Sequence, residues 1–203
     1  MPIMKLVIAT GNPGKVQEFR KILGDSNFEF LTLKDIGFSA EIVEDGDSFA
    51  ANALIKAKAI FHYLKAQGLN YPVLADDSGL EVDALGGAPG IFTARYAGVG
   101  ATDQQNYQKL LTDLAGNPNR KARFVCWLCW FDAHGHQLFS GDCAGHILSA
   151  PRGEHGFGYD PVFEPMGYTR SFGEMDHDEK KSLSHRGEAI KHLQIVLATH
   201  LHS

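Results

Sequence analysis

KLVIATGNPGK, Lys5 to Lys15, is the stretch whose reading decides the fold. A short apolar run, Leu6 to Ala9, ends in Thr10-Gly11-Asn12-Pro13-Gly14-Lys15. A helical pattern follows at once, with Val16, Phe19, Ile22 and Leu23 spaced as one apolar stripe from Val16 to Leu23. A glycine-bearing turn between strand and helix exposes backbone N–H groups where the helix dipole is positive, which makes a seat for phosphate oxygens. Lys15 adds a full charge, and Thr10 and Asn12 add hydrogen-bonding side chains. The spacing G-x-x-x-x-G-K-[ST] cannot be laid over this block, so it is not a Walker loop. The plainer reading is that Gly and Asn only make the bend.

The pattern continues outward from that start. Phe28 to Leu33 alternates like a second strand. Ser48 to Lys65 reads as a longer helix with Ser48 as N-cap and Phe49, Ala53, Ala57, Ile60, Phe61 and Leu64 on one face. Asn52 and Lys56 lie one turn apart on another face. Tyr71 to Ala75 is a predicted strand ending at Asp76-Asp77, and Thr102 to Leu114 a helix capped at Thr102 or Asp103. Ala122 to Ala133 and Gln137 to Leu148 form a predicted hairpin, and Ser184 to His200 an amphipathic closing helix. Interleaved strands and helices with one long antiparallel pair predict an α/β fold on a mixed sheet. No repeat or linker divides the chain, so residues 1–203 are expected to form one domain, with room for two lobes.

With 203 residues and 44% hydrophobic content, the chain can bury a sizeable core. Its net charge of −5 argues against a general nucleic-acid coat, which needs a basic surface to release counterions. An anionic ligand must then meet a local cluster of cations or a metal. No apolar run approaches the roughly 18 residues of a membrane helix, and residues 6–9 are too short for a signal peptide, so a cytoplasmic protein is expected. Cys126, Cys129 and Cys143 are an odd number, which suits no disulfide framework. Cys126 and Cys129 are three apart in the strand-like RFVCWLCWF, so they point to opposite faces and are read as packed strand residues.

LADDSGL, Leu74 to Leu80, delivers two adjacent carboxylates from a strand before an expected turn at Ser78-Gly79. Neighbours on an extended segment point opposite ways, so one carboxylate faces a cleft while the other braces from behind. Such carboxylates suit a hard divalent cation that bridges to phosphates; the plainer reading is an Asx-type turn. EIVEDGDSF gathers Glu41, Glu44, Asp45 and Asp47 before the long helix, where acids favour the dipole. One of these four acids is able to complete a metal site with Asp77, and the sequence does not choose among them.

HGFGYDPVF, His155 to Phe163, flanks Phe157 with glycines, so its ring is free to lie against a flat base or to plug a turn. EKKSLSHRGEA, Glu179 to Ala189, gathers Lys180, Lys181, His185 and Arg186 around Ser184, a candidate cap for the last helix. The plainer reading is a solvated basic turn. Cations in a first helical turn oppose the dipole, and an anion or a base carbonyl between them would relieve that.

These blocks, in this order, resemble the Ham1/RdgB family of non-canonical purine nucleoside triphosphate pyrophosphatases, the enzymes akin to inosine triphosphate pyrophosphatase. The resemblance runs from TGNPGK through EDGDSFAANALIKAKA, ADDSGLEVDALGGAPGIFTARYAG and GFGYDP to EKKSLSHRGEA. It implies a two-lobed α/β fold with a long central sheet and a substrate cleft between lobes. It implies hydrolysis of dITP, ITP and XTP to the monophosphate and pyrophosphate with Mg²⁺, by a cytosolic homodimer that cleanses the nucleotide pool. Residue by residue, it implies that Thr10, Gly11, Asn12, Pro13, Gly14 and Lys15 hold the triphosphate. Asp77 becomes the general base and a metal ligand, with Glu44 as the best second ligand and Glu41 still open. Ser78, Phe157, Gly158, Tyr159 and Asp160 contact substrate, and Lys180, His185 and Arg186 read the base. Many members carry F-x-E-N-A at the start of the long helix; this chain has Ala51 in place of that Glu.

Donor and acceptor types explain the base selection that the resemblance implies. Arg186 carries only donors and His185 can present one, which suits an oxygen at purine position 6. Adenine has an amino group there, which sets donor against donor. Pyrophosphatases that prefer other modified or pyrimidine triphosphates, and a non-enzymatic nucleotide binder, are the two alternatives.

Overall fold

The computed structural model describes residues 3–24 and 27–200. Its strands are β1 (Met4–Ile8), β2 (Phe28–Leu31), β3 (Val73–Val82), β4 (Lys121–Asp132), β5 (Gly135–Ile147) and β6 (Phe163–Pro165). Its α-helices are α1 (Pro13–Leu23), α2 (Phe49–Ala66), α3 (Asp103–Asp113), α4 (His177–Leu183) and α5 (His185–His200). The six strands form one sheet in the order β2-β1-β3-β4-β5-β6. Both neighbours of β1 run parallel to it, with Met4 opposite Phe28 and Ile8 opposite Leu74, whereas β6 runs antiparallel to β5. The expected α/β fold on a mixed sheet is what forms.

Two compact units divide the chain, with a boundary inside β3 between Asp77 and Ser78. The first unit comprises Met1–Asp77, Cys126–Ser140 and Ala189–Ser203. Strand alternation gives it two apolar clusters. Leu6, Ile8, Leu74, Cys126 and Leu128 pack with Phe19 and Leu23 of α1 and with Ala189, Ile190 and Leu193 of α5. Val7, Ala9, Val73, Ala75 and Cys129 pack instead with Ala53, Ala57, Ile60, Phe61 and Leu64 of α2. A sheet covered on both faces needs near-continuous apolar strands, which is what the β1 run displays. Cys126 and Cys129 fall in different clusters, as their spacing requires, and neither is in a disulfide.

The second unit comprises Ser78–Val125 and Gly141–Glu188. Its core joins Leu80, Val82, Leu110, Phe124, Tyr159, Phe163 and Phe172. α3 begins with a full capping box, the Thr102 hydroxyl taking the Gln105 amide while the Gln105 side chain takes that of Thr102. Asp176 and Glu179 make the same arrangement at α4. Each such cap is worth about 1 kcal/mol.

Several boundaries differ from expectation. α1 starts at Pro13, three residues before Val16, because Asn12 caps it and proline fits the first helical position. The second strand stops at Leu31, where the Asp35 carboxylate takes the Thr32 amide and hydroxyl, both at 2.8 Å. β3 does not turn at Ser78-Gly79 but runs on to Val82, since Leu80 and Val82 are fully buried and hold it extended. The basic segment before α5 contributes to a short helix, α4, rather than a solvated turn.

Candidate functional site

Alternation along β3 sorts the two acids of LADDSGL. Asp76 shares the parity of Leu74, so it faces the side covered by α1; Asp77 shares that of Ala75, the side covered by α2. Each carboxylate accordingly meets a lysine from the helix on its own side. Lys15 of α1 lies 2.8 Å from fully buried Asp76. Lys56 of α2 lies 3.8 Å from Asp77 and 3.0 Å from Glu44. The Asx-turn reading is excluded by the extended strand, and the bracing acid is Asp76.

Burial lifts the Asp77 carboxyl above the usual carboxylate range, against the pull of Lys56, a side-chain hydrogen bond from Asn52, and Lys15. Burial alone would lower the Lys56 ammonium, but Asp76, Asp77 and Glu44 outweigh it and hold the group above its ordinary value. Asp77 is therefore a carboxylate with raised proton affinity beside a lysine that stays charged.

The phosphate-seat block is arranged differently from expectation. The Asn12 side chain accepts from the Gly14 amide at 2.9 Å and the Lys15 amide at 3.3 Å, and Thr10 Oγ1 accepts from Asn12 N at 3.2 Å. The Val16 amide bonds to the Asn12 carbonyl. Those amides are already satisfied within the turn, so Pro13, Gly14 and Lys15 form a capped first helical turn rather than an open nest. Gly11, Asn12 and Pro13 are exposed, while Lys15 is drawn inward by Asp76.

Within the second unit, Arg186 is 1% exposed and its Nη2 donates to Ser78 Oγ at 3.1 Å. Ser184 caps α5 by accepting from the Gly187 amide at 3.0 Å, which sets His185 and Arg186 in the first turn. The buried His185 ring stacks on Phe124, centroids 4.9 Å apart and planes at 13°. Side-chain contacts rather than solvent thus surround His185 and Arg186 at this helix start.

Asp160 organises the neighbouring turn. It accepts from Lys180 Nζ at 2.6 Å and from the Phe157 amide at 2.9 Å, and both acid and lysine are buried. Lys180 also sits 4.7 Å over the Phe157 ring and 5.6 Å over that of Phe172. Gly156, at φ 79°, leaves no room for a Cβ against the Asp160 carboxylate. Gly158, at φ 63°, donates its amide to Asp103 at 2.7 Å. Tyr159 is 2% exposed and its hydroxyl donates to the Thr93 carbonyl at 2.8 Å. Its side chain belongs to the core, and burial pushes the phenol well above its usual range. Lys180 therefore has its charge matched by Asp160.

Among the described residues no three carboxylate, imidazole or thiolate groups converge as a metal cage. Asp77 and Glu44 nevertheless share one cation, the Lys56 ammonium, so the spot between them is built for positive charge. Two carboxylates fit Mg²⁺, which keeps several waters and takes further oxygens from substrate phosphates. Glu41 and Glu44 are both exposed, and Glu44 is the one that shares the Lys56 ammonium with Asp77. Sequence reasoning omitted Asp76 and Lys56 from the site; the Asn52–Lys56 spacing on an otherwise apolar helix was the available signal for the lysine. Nothing in the sequence pointed to Phe124.

The sequence profile of the Ham1 family matches residues 6–196. A dITP/XTP pyrophosphatase of Sulfurovum is 46% identical over 191 residues, covering 92% of this chain and 90% of that protein. One of Bacillus subtilis is 44% identical over 201 residues, covering 97% and 99%. The solved Ham1 protein of Staphylococcus aureus superposes with a TM-score of 0.85 at 36% identity over 97% of this chain and 99% of that one. A HAM1 protein of Coxiella burnetii gives 0.85 at 38%, over 97% and 100%.

Proposed function

Since this chain belongs to the Ham1 family, we propose that it hydrolyses dITP, ITP and XTP to the nucleoside monophosphate and pyrophosphate, clearing non-standard purine nucleotides from the precursor pool. The observation that carries the reading is the pair Asp76 and Asp77, facing opposite sides of one strand, each matched to its own lysine. Asp76 holds Lys15 as a fixed cation for the phosphates. Asp77, its proton affinity raised by burial, is suited to take a proton from the attacking water. Thr10 to Lys15 would face the phosphate tail, with the α1 dipole and Lys15 supplying positive charge. Asp77 and Glu44 would hold Mg²⁺, which when bound would neutralise charge that builds on the phosphate oxygens.

Base reading falls to the second unit. Arg186, oriented by Ser78, and His185, backed by Phe124, offer donors to a 6-oxo purine. Phe157 offers a ring face to the base, steadied by Lys180 on its other contact. An adenine in the same pose would leave buried donors unpaired, at about 1–3 kcal/mol each, or roughly five- to 150-fold in kcat/KM. The homodimer and the cytoplasmic location implied by the family belong to the same proposal. No helix among the described residues is long and apolar enough to cross a membrane.

A panel of ITP, dITP, XTP, GTP, ATP and dTTP with Mg²⁺, read by pyrophosphate release, tests the reading. The three 6-oxo deaminated substrates should lead. Faster turnover of dTTP would sink the substrate assignment, and tight ITP binding without any pyrophosphate release would sink the enzyme itself.

A further inference from the structure

We propose that Asn52 is a positioning residue for this reaction: its buried side-chain amide ties the acidic loop at Gly46 to the carboxylate of Asp77, and so sets where that carboxylate stands. The inference rests on the functional reading above, because it takes Asp77 as the base.

Asn52 is 3% exposed and sits in the first turn of α2, its own amide bonded to Ser48 O at 3.0 Å. Gly46 N donates to Asn52 Oδ1 at 2.9 Å, which fixes the orientation of the side-chain amide. The opposite, donor end is then the one that bonds Asp77. A carboxylate only accepts and a backbone N–H only donates, so an amide held in this one sense satisfies both. No other neutral side chain of that length offers an acceptor at one end and a donor at the other.

The loop is pressed onto this bracket. A Cβ at Gly46 would come within 2.6 Å of Asn52 Oδ1 and 2.9 Å of Ala51 Cβ. One turn along α2, Lys56 joins the same two partners, the acidic loop through Glu44 and the strand through Asp77. The lysine contributes charge, which acts in every direction. The amide contributes direction, leaving the remaining lone pairs of Asp77 in a constant orientation toward a reacting water.

The deciding variant is Asn52→Asp, which keeps an acceptor for the Gly46 amide and removes the donor facing Asp77. The expected result is a folded protein with kcat for ITP about 10- to 100-fold lower, the usual loss when an outer partner of a site group is removed. KM should change little, and the thermal shift produced by ITP without divalent cation should match the parent's. Gly46→Ala approaches the bracket from its other end, since the new methyl group displaces Oδ1, and should give the same split. A parental kcat in folded Asn52→Asp overturns the inference. If that variant does not fold, a parental kcat in Gly46→Ala overturns it equally. A raised KM with unchanged kcat also overturns it, by marking Asn52 as a binding group. Failure of the parent protein to turn over ITP is a different result, read on a different sample, and overturns the functional reading itself.

Discussion

Replacing Lys56 with Met should leave Asp77 buried with its main opposing charge gone. At 3.8 Å and an effective dielectric constant of about 20, the attraction between Lys56 and Asp77 is about 4 kcal/mol. Glu44 is more exposed than either, so its pair with Lys56 is screened and adds less than about 1 kcal/mol. Removing one partner of a buried pair typically costs about 3–5 kcal/mol, and protonation of Asp77 caps the loss near the lower end. At about 2–4 °C per kcal/mol for a chain of this length, Tm should fall by roughly 6–12 °C near neutral pH.

The pH dependence follows from signs. Asp77 already sits above its ordinary value of 3.8, and losing Lys56 raises it further. A group with a raised folded pKa favours the fold when protonated, and that contribution is lost as pH rises through the folded value. The variant's deficit should therefore be largest at about pH 8 and shrink toward about pH 5. Lys56 itself is raised above 10.5, so the parent alone should lose stability as pH climbs through that group's folded value. Thermal unfolding followed by circular dichroism in a metal chelator, for parent and variant from about pH 5 to beyond the folded value of Lys56, reads both limbs. A Tm difference below about 2 °C at about pH 8, or one that does not change with pH, refutes the reasoning.

Three further outcomes are expected. Asp77→Asn should abolish pyrophosphate release while ITP still raises Tm; turnover near the parental kcat removes Asp77 from its role as base. Arg186→Ala should erode the ITP-over-ATP ratio of kcat/KM by about tenfold or more, the worth of one buried donor; an unchanged ratio refutes base reading by that residue. Lys180→Met should destabilise by about 3–5 kcal/mol, because Asp160 is left buried without its cation. Lys180→Met combined with Asp160→Asn should recover part of that in urea unfolding, and no recovery would show that the ion pair is not what holds the Phe157 turn.

Much of the fold was legible because its signals are local. Ser48 and Ser184 cap their helices as expected, and Thr102 is the one of the two candidates, Thr102 and Asp103, that caps its own, since a hydroxyl before an apolar-periodic run has one obvious acceptor role. Every residue that the periodicity assigns to the apolar face of α2 is buried, and Leu54 packs partly buried beside them. The turn expected at Ser78-Gly79 failed because Ser-Gly reads as a bend, whereas burial of Leu80 and Val82 overrides that local preference. The start of α1 was placed late because Pro13 and Gly14 look like loop residues until Asn12 is seen to cap them. The motifs of Tyr159 and Lys180 point to substrate contacts, and packing adds what they do not show: a hydroxyl fastened to Thr93 and an ammonium fastened to Asp160.

By itself the amino-acid order determined the period of each element, the caps, the adjacency of Asp76 and Asp77, and the family to which the motifs belong. Tertiary structure decided which lysine answers which acid. That pairing depends on which helix covers which face of β3, a contact between segments dozens of residues apart. The same holds for His185 on Phe124 and for Asn52 between Gly46 and Asp77. Local propensity acts over a few residues, whereas the aim of a buried charge is set by whatever distant chain is packed against it.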